Sequence, residues 1–109
     1  MIKLLNKNSM KRDFKVAMRG YDKKELMDEK GQPQMINEII GLYLYSAGNK
    51  KQLSADEKLR AYKLCVQLHE HPECVELTAE DMAFIKEIAC DVLVAGAYGQ
   101  IVEILEKES

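Results

Sequence analysis

The chain has 109 residues and a mass of 12.5 kDa, enough for one domain with a modest core that needs no disulfide or metal to hold it. With 47% hydrophobic and 31% charged residues it excludes a collagenous, mucin-like or wholly disordered chain. Its net charge of −2 hides an uneven distribution. Residues 1–24 carry eight Lys or Arg against Asp13 and Asp22, whereas residues 25–109 carry eight against sixteen Asp or Glu.

Taken in chain order, residues 1–13 read as a basic flexible tail, and residues 14–109 as a single domain. Within 14–34 the sequence Phe14-Lys15-Val16-Ala17-Met18 alternates in part, Gly20 to Asp22 offers a turn, and a second extended piece covers Lys24 to Met27. The loop Asp28-Glu29-Lys30-Gly31-Gln32-Pro33 follows, so a short β-hairpin is the candidate element here. From Met35 the period becomes helical. Met35, Ile36, Ile39, Ile40, Tyr43, Leu44 and Ala47 predict a helix over 35–47, stopped by Gly48-Asn49.

Ser54-Ala55-Asp56-Glu57 is a capping box that opens a helix over 55–70, which Pro72 terminates. Its expected apolar face is Leu59, Tyr62, Cys65, Val66 and His69, with Leu68 on the flank. Thr78 followed by Glu80 and Asp81 opens a third helix over 79–95, with Met82, Ile85, Ala89, Val92 and Leu93 inward. Gly96 and Gly99 predict a break before a last helix over 98–107, carrying Ile101, Val102, Ile104 and Leu105. The expected fold is mainly α: a bundle-like domain of three to four helices, with the short N-terminal β-hairpin as its minor part. The expected shared core is Ile39, Leu44, Leu59, Tyr62, Cys65, Met82, Ile85, Val92 and Leu105.

Side chains of ligand type cluster only at Cys65, His69, His71 and Cys74. Cys65 and His69, four apart on a helix, could chelate one metal ion, and zinc would then need His71 and Cys74 to fold back. The spacing matches no zinc motif. The plainer reading places Cys65 in the core and His69 at a helix C-terminus, where imidazolium is favoured. Glu80, Glu87 and Asp91 recur on one helix face, the usual place for solvated carboxylates. There is no nucleotide-binding glycine loop and no Gly-x-Ser-x-Gly elbow, and Gly96-Ala-Tyr-Gly99 lacks basic neighbours to grip a phosphate backbone. The expectation is a protein with no catalytic residues and no cofactor.

The strongest departure from an even surface is therefore the basic start. Lys3, Lys7, Lys11, Arg12, Lys15, Arg19, Lys23 and Lys24 are candidate contacts to an acidic partner or a polyanion. Opposite charge on tail and body suits contact between copies, so the expected partners are a second copy of the chain or an acidic protein. A nucleic-acid regulator using residues 3–24 is the alternative, with Lys58, Arg60, Lys63 and Gln67 on the polar side of the second helix. Aromatic residues in the basic segment are few, Phe14 and Tyr21, and the acidic remainder would repel a polyanion. Exposure of Tyr43 and Tyr45 on one face would mark a partner surface. No apolar run reaches the ~20 residues that a membrane span requires. The start lacks a signal-peptide core, and three cysteines without a Cys-x-x-Cys pair suit a reducing compartment, so the expected location is the cytoplasm.

The order of features resembles small helical proteins encoded by tailed phages and prophages. The resemblance spans residues 14–105 and rests on Asp28-Glu-Lys-Gly31, Leu44-Tyr45-Ser46-Ala47, Leu59-Arg-Ala-Tyr-Lys-Leu64, Val75-Glu-Leu-Thr-Ala-Glu-Asp81, Ile85-Lys86 and Gly99-Gln-Ile-Val-Glu-Ile-Leu105. It implies a helical accessory or interaction protein in a bacterial host and carries over no site residues.

Overall fold

The computed structural model describes residues 9–49 and 51–107. In chain order the elements are β1 (Ser9–Arg12), α1 (Ile36–Tyr45), α2 (Ala55–Glu70), β2 (Val75–Thr78), α3 (Ala79–Val92) and α4 (Ala95–Leu105). The fold is mainly α, with four helices and one small antiparallel sheet among the described residues.

Local chemistry starts two of the helices. Ser54 Oγ accepts from Glu57 N at 3.1 Å while Glu57 Oε1 accepts from Ser54 N at 2.9 Å, which satisfies two amides left free by the helical register. Thr78 and Asp81 repeat this reciprocal pair at α3, at 3.0 Å in each direction. Thr78 is also the last residue of β2, so strand passes into helix with no loop between them. Asp81 further accepts from Arg60 Nη1 at 2.6 Å, tying the start of α3 to α2.

The sheet joins distant segments. β1 lies antiparallel to β2 with Met10 opposite Leu77 and Arg12 opposite Val75. Val75 and Leu77 are buried while Glu76 between them is exposed, the alternation of a one-sided strand. The expected flexible tail over 1–13 is thus corrected at Ser9–Arg12, which form a strand, while residues 1–8 lie outside the described residues. The β1 sequence Ser-Met-Lys-Arg carries no alternation, and its order comes from pairing with β2.

After Phe14, residues 16–36 turn back twice. Met18 N donates to Gln34 O (2.7 Å), Gln34 N to Leu26 O (2.8 Å) and Leu26 N to Met18 O (2.9 Å). Three extended segments, eight residues apart, thus close a ring of hydrogen bonds, with single bridges at Ala17–Met35, Arg19–Glu25 and Met27–Pro33 instead of a regular two-strand ladder. The two turns are alike: Gly20 N donates to Lys24 O and Asp28 N to Gln32 O. The fourth residue of each has positive φ, Lys23 at 68° and Gly31 at 78°. Ile36 N and Asn37 N then donate to Val16 O and Phe14 O, so the returning ribbon caps α1, which has no side-chain cap.

The core contains Phe14, Ile36, Ile40, Leu44, Leu64, Leu68, Ile85, Ile101 and Leu105. Ile39, Cys65, Met82 and Val92 pack against its edge, but Leu59 and Tyr62, expected inside, are 51% and 54% exposed. The face of α2 that turns inward is Ala61, Leu64 and Leu68. α1 fixes that choice: Asn37 Nδ2 donates to Leu68 O at 3.1 Å, and a Cβ on Gly41 would sit 3.9 Å from Leu68 Cβ.

The helix break also falls elsewhere than expected. Leu93 and Val94 are extended (ψ 150° and 165°), and α4 then runs through both Gly96 and Gly99. Breaking at Leu93–Val94 lets α4 return along α3 and bury Ile101 and Leu105. No described helix is long and apolar enough to cross a membrane.

Glycine therefore acts oppositely at two places. An added Cβ at Gly99 meets nothing within 4 Å and the residue is helical, so Gly99→Ala should raise unfolding free energy by about 0.5–1 kcal/mol. Gly31 has equal space but φ of +78°, so Gly31→Ala should lower it by about 1–2 kcal/mol. Urea titration of both variants checks the opposite signs.

Candidate functional site

Cationic residues meet where β1 and the ribbon join α4. Lys11 and Arg12 come from β1, Arg19 and Lys23 from the ribbon, and Lys107 from just beyond the end of α4. They line an open cleft of about 790 Å³, together with Asp13, Glu73 and Glu103. Among the described residues the lining is five cations against three carboxylates, and Val16, Ala17, Ile36 and Ile104 add an apolar part.

Two side chains build this junction. Arg12 Nε donates to Leu105 O at 3.1 Å, giving a cation to a carbonyl that the end of α4 leaves without a helical partner. Gln100 uses both ends of its amide on one residue: Oε1 accepts from Arg19 N at 2.9 Å, and Nε2 donates to Arg19 O at 2.8 Å. Nε2 also donates to Gly96 O at 3.1 Å, one turn back on its own helix. The Arg19 backbone is held on α4 as though by a neighbouring strand, which sets Arg19 at the edge of the cleft.

Of the eight candidate cations, Lys11, Arg12, Arg19 and Lys23 share this cleft. Lys15 and Lys24 do not line it, and Lys3 and Lys7 lie outside the described residues. Sequence reasoning missed Gln100, Glu73, Glu103, Ile104 and Lys107. Nothing in the spacing of a neutral glutamine marks it as a backbone clamp.

The Cys65, His69, His71 and Cys74 group is not assembled. Among the described residues no three His, Cys, Asp or Glu side chains could together hold a metal ion. Cys65 is half-buried at the edge of the core, His69 and Cys74 are exposed, and His71 caps the end of α2 with its N–H on Gln67 O. Burial pushes the Cys65 thiol above its ordinary value, away from the thiolate that nucleophilic or ligand chemistry needs. Of the acidic helix face, Glu87 and Asp91 are taken by Lys51, whose Nζ lies 3.2 and 3.7 Å from their carboxylates. The hydrogen bond and charge of Glu87, then the charge of Asp91, hold the Lys51 ammonium above its usual value.

Tyr43 and Tyr45 are both exposed, at 38% and 69%. Two residues apart on a helix, they point to opposite sides and form no single face.

Comparison of the chain with protein-family models, with curated proteins and with solved structures finds no match.

The thiols give a direct check on the burial of α2. Cys74 and Cys90 should react with an aromatic disulfide reagent at pH 8 well before Cys65, as followed by peptide mass mapping. The Cys65 rate should climb steeply as pH is raised further. Equal labelling of all three at pH 8 would contradict the placement of Cys65.

Proposed function

We propose that the protein is a non-enzymatic interaction module whose basic cleft receives an acidic segment of a partner protein. The observation that carries this reading is the convergence of five cations from three separate parts of the chain on one open cleft with an apolar part. Long-range attraction from the cations would speed encounter and orient the segment, while Val16, Ala17 and Ile104 would take its apolar side chains. In the phage or prophage setting that the resemblance implies, such a module acts as an accessory or assembly factor.

The mixed lining favours a protein segment over nucleic acid. Asp13, Glu73 and Glu103 would repel consecutive phosphates, and no aromatic side chain lines the cleft to stack on a base. An acidic peptide can place its charges between these carboxylates and its apolar residues below them.

Fluorescence anisotropy tests this with a labelled peptide of alternating Glu and Leu pairs and a single-stranded oligonucleotide of equal charge. The peptide should bind the intact chain with an affinity that falls as salt rises. Arg19→Glu combined with Lys23→Glu should weaken it by about tenfold or more. Tighter binding of the oligonucleotide at the same salt would replace this reading with the nucleic-acid one, and binding of neither would end both.

A further inference from the structure

α2 carries a second apolar stripe, opposite the one that enters the core. Ala61, Leu64 and Leu68 face inward. Leu59, Tyr62 and Val66 recur at spacings of three and four on the other side, and Ala55 and His69 continue the same alternation. Leu59 and Tyr62 are more than half exposed, Val66 is partly exposed, and Ala55 and His69 are exposed. Spacing of this kind is the seam of a coiled coil, in which one helix buries its stripe against another. We propose that this outer face of α2 pairs antiparallel with the same face of a second copy, forming a two-fold dimer. The proposal rests on the reading of the protein as an interaction module and names one partner, a second copy of the chain.

Charge fixes the orientation and the register. With Leu59 set opposite Tyr62 of the second copy, Ala55 falls opposite Val66, and the two-fold axis passes between the levels of Arg60 and Ala61. Asp56 and Lys63 border the same edge of the seam, seven residues apart. In an antiparallel pair that edge meets its own copy. Asp56 then lies within two residues, or about 3 Å along the axis, of Lys63 in the second copy. Symmetry makes this pair twice. Both side chains are on exposed residues, and neither has an ion-pair partner among the described residues. The other edge brings Lys58 toward Cys65, with no like charges opposed.

The seam is two heptads long, since sixteen residues rise about 24 Å. A contact of that size belongs at the small end of specific interfaces. Association is therefore reversible and concentration-dependent. Because the contact is isologous it closes at two copies, unlike a head-to-tail arrangement of basic cleft on acidic body.

Sedimentation velocity of the full chain over a hundredfold range of concentration should show monomer passing to dimer. Tyr62→Glu should weaken the dimer by about tenfold or more, with the far-ultraviolet circular dichroism unchanged because Tyr62 lies outside the core. Asp56→Lys and Lys63→Glu should each weaken it, and the two together should restore most of the loss. A monomer at every concentration, a dimer indifferent to Tyr62→Glu, or a double charge reversal that restores nothing would each overturn the proposal. The cleft variant Arg19→Glu with Lys23→Glu should leave dimerisation unchanged. A monomer that still binds the acidic peptide would therefore end this proposal alone, and a dimer that binds no peptide would end only the reading of the cleft.

Discussion

Phe14 holds the structure together at the point where the N-terminal chain crosses the helices. Its ring is fully buried, a burial worth about 1.5–3 kcal/mol in transfer free energy. Its backbone is committed on both sides: Phe14 N donates to Pro72 O at 2.7 Å, and Phe14 O accepts from Asn37 N at 3.0 Å. Asn37 in turn donates from its side chain to Leu68 O. One residue thus links the start of α1, the end of α2 and the segment leaving β1. An amide or carbonyl stranded in this crossing would cost about 1–3 kcal/mol, so the backbone pairings hold the chain here as firmly as the ring does.

That crossing decides where the charge goes. On the N-terminal side, β1 is aligned along β2, and Arg12 reaches the Leu105 carbonyl at the end of α4. On the C-terminal side, the ribbon is pinned at its base by Val16 on Ile36 and further out by Gln100 on Arg19. Four of the eight cations of residues 1–24 thus line one cleft, joined by Lys107 from beyond α4. The same geometry brings acids with it, since Glu103 lies on α4 and Glu73 just before β2. The cleft is accordingly less positive than the segment that supplies most of its cations. The proposed preference for a peptide over a polyanion rests on this mixture, and not on bulk charge.

What could be read from the sequence follows from the range of the forces involved. The limits of α2 coincide with the expected 55–70, because a capping box and a proline are signals written within a few residues of where they act. Its orientation was not legible. Leu59 and Tyr62 outweigh Ala61 in any hydrophobic count, yet Asn37 and Gly41 of α1 dock on the Leu68 side. β1 and β2 were missed as a pair because four residues of Ser-Met-Lys-Arg acquire their order from a strand more than sixty residues away. The glycines at 96 and 99 attracted the helix break because propensity is local, while the observed break at Leu93–Val94 serves the burial of Ile101 and Leu105. For the cleft, charge alone identified Arg12 and Arg19. Gln100 became visible only with its two hydrogen bonds to Arg19 in place.

The misread face of α2 is itself informative. A helix that buries Ala61, Leu64 and Leu68 while exposing Leu59 and Tyr62 has left a leucine and a tyrosine on the solvent side. Each such side chain leaves apolar area in water, at roughly 25 cal/mol per Å², with no return inside the monomer. An isologous pairing would recover that term twice for every side chain, once per copy. The seam lies on α2, whereas the cleft is built from β1, the ribbon and α4, so the pairing would not consume the cleft residues. Two copies would then present two clefts on one body. A partner with acidic segments spaced to reach both would bind them as an intramolecular second step, so a weak single contact would suffice for a tight assembly.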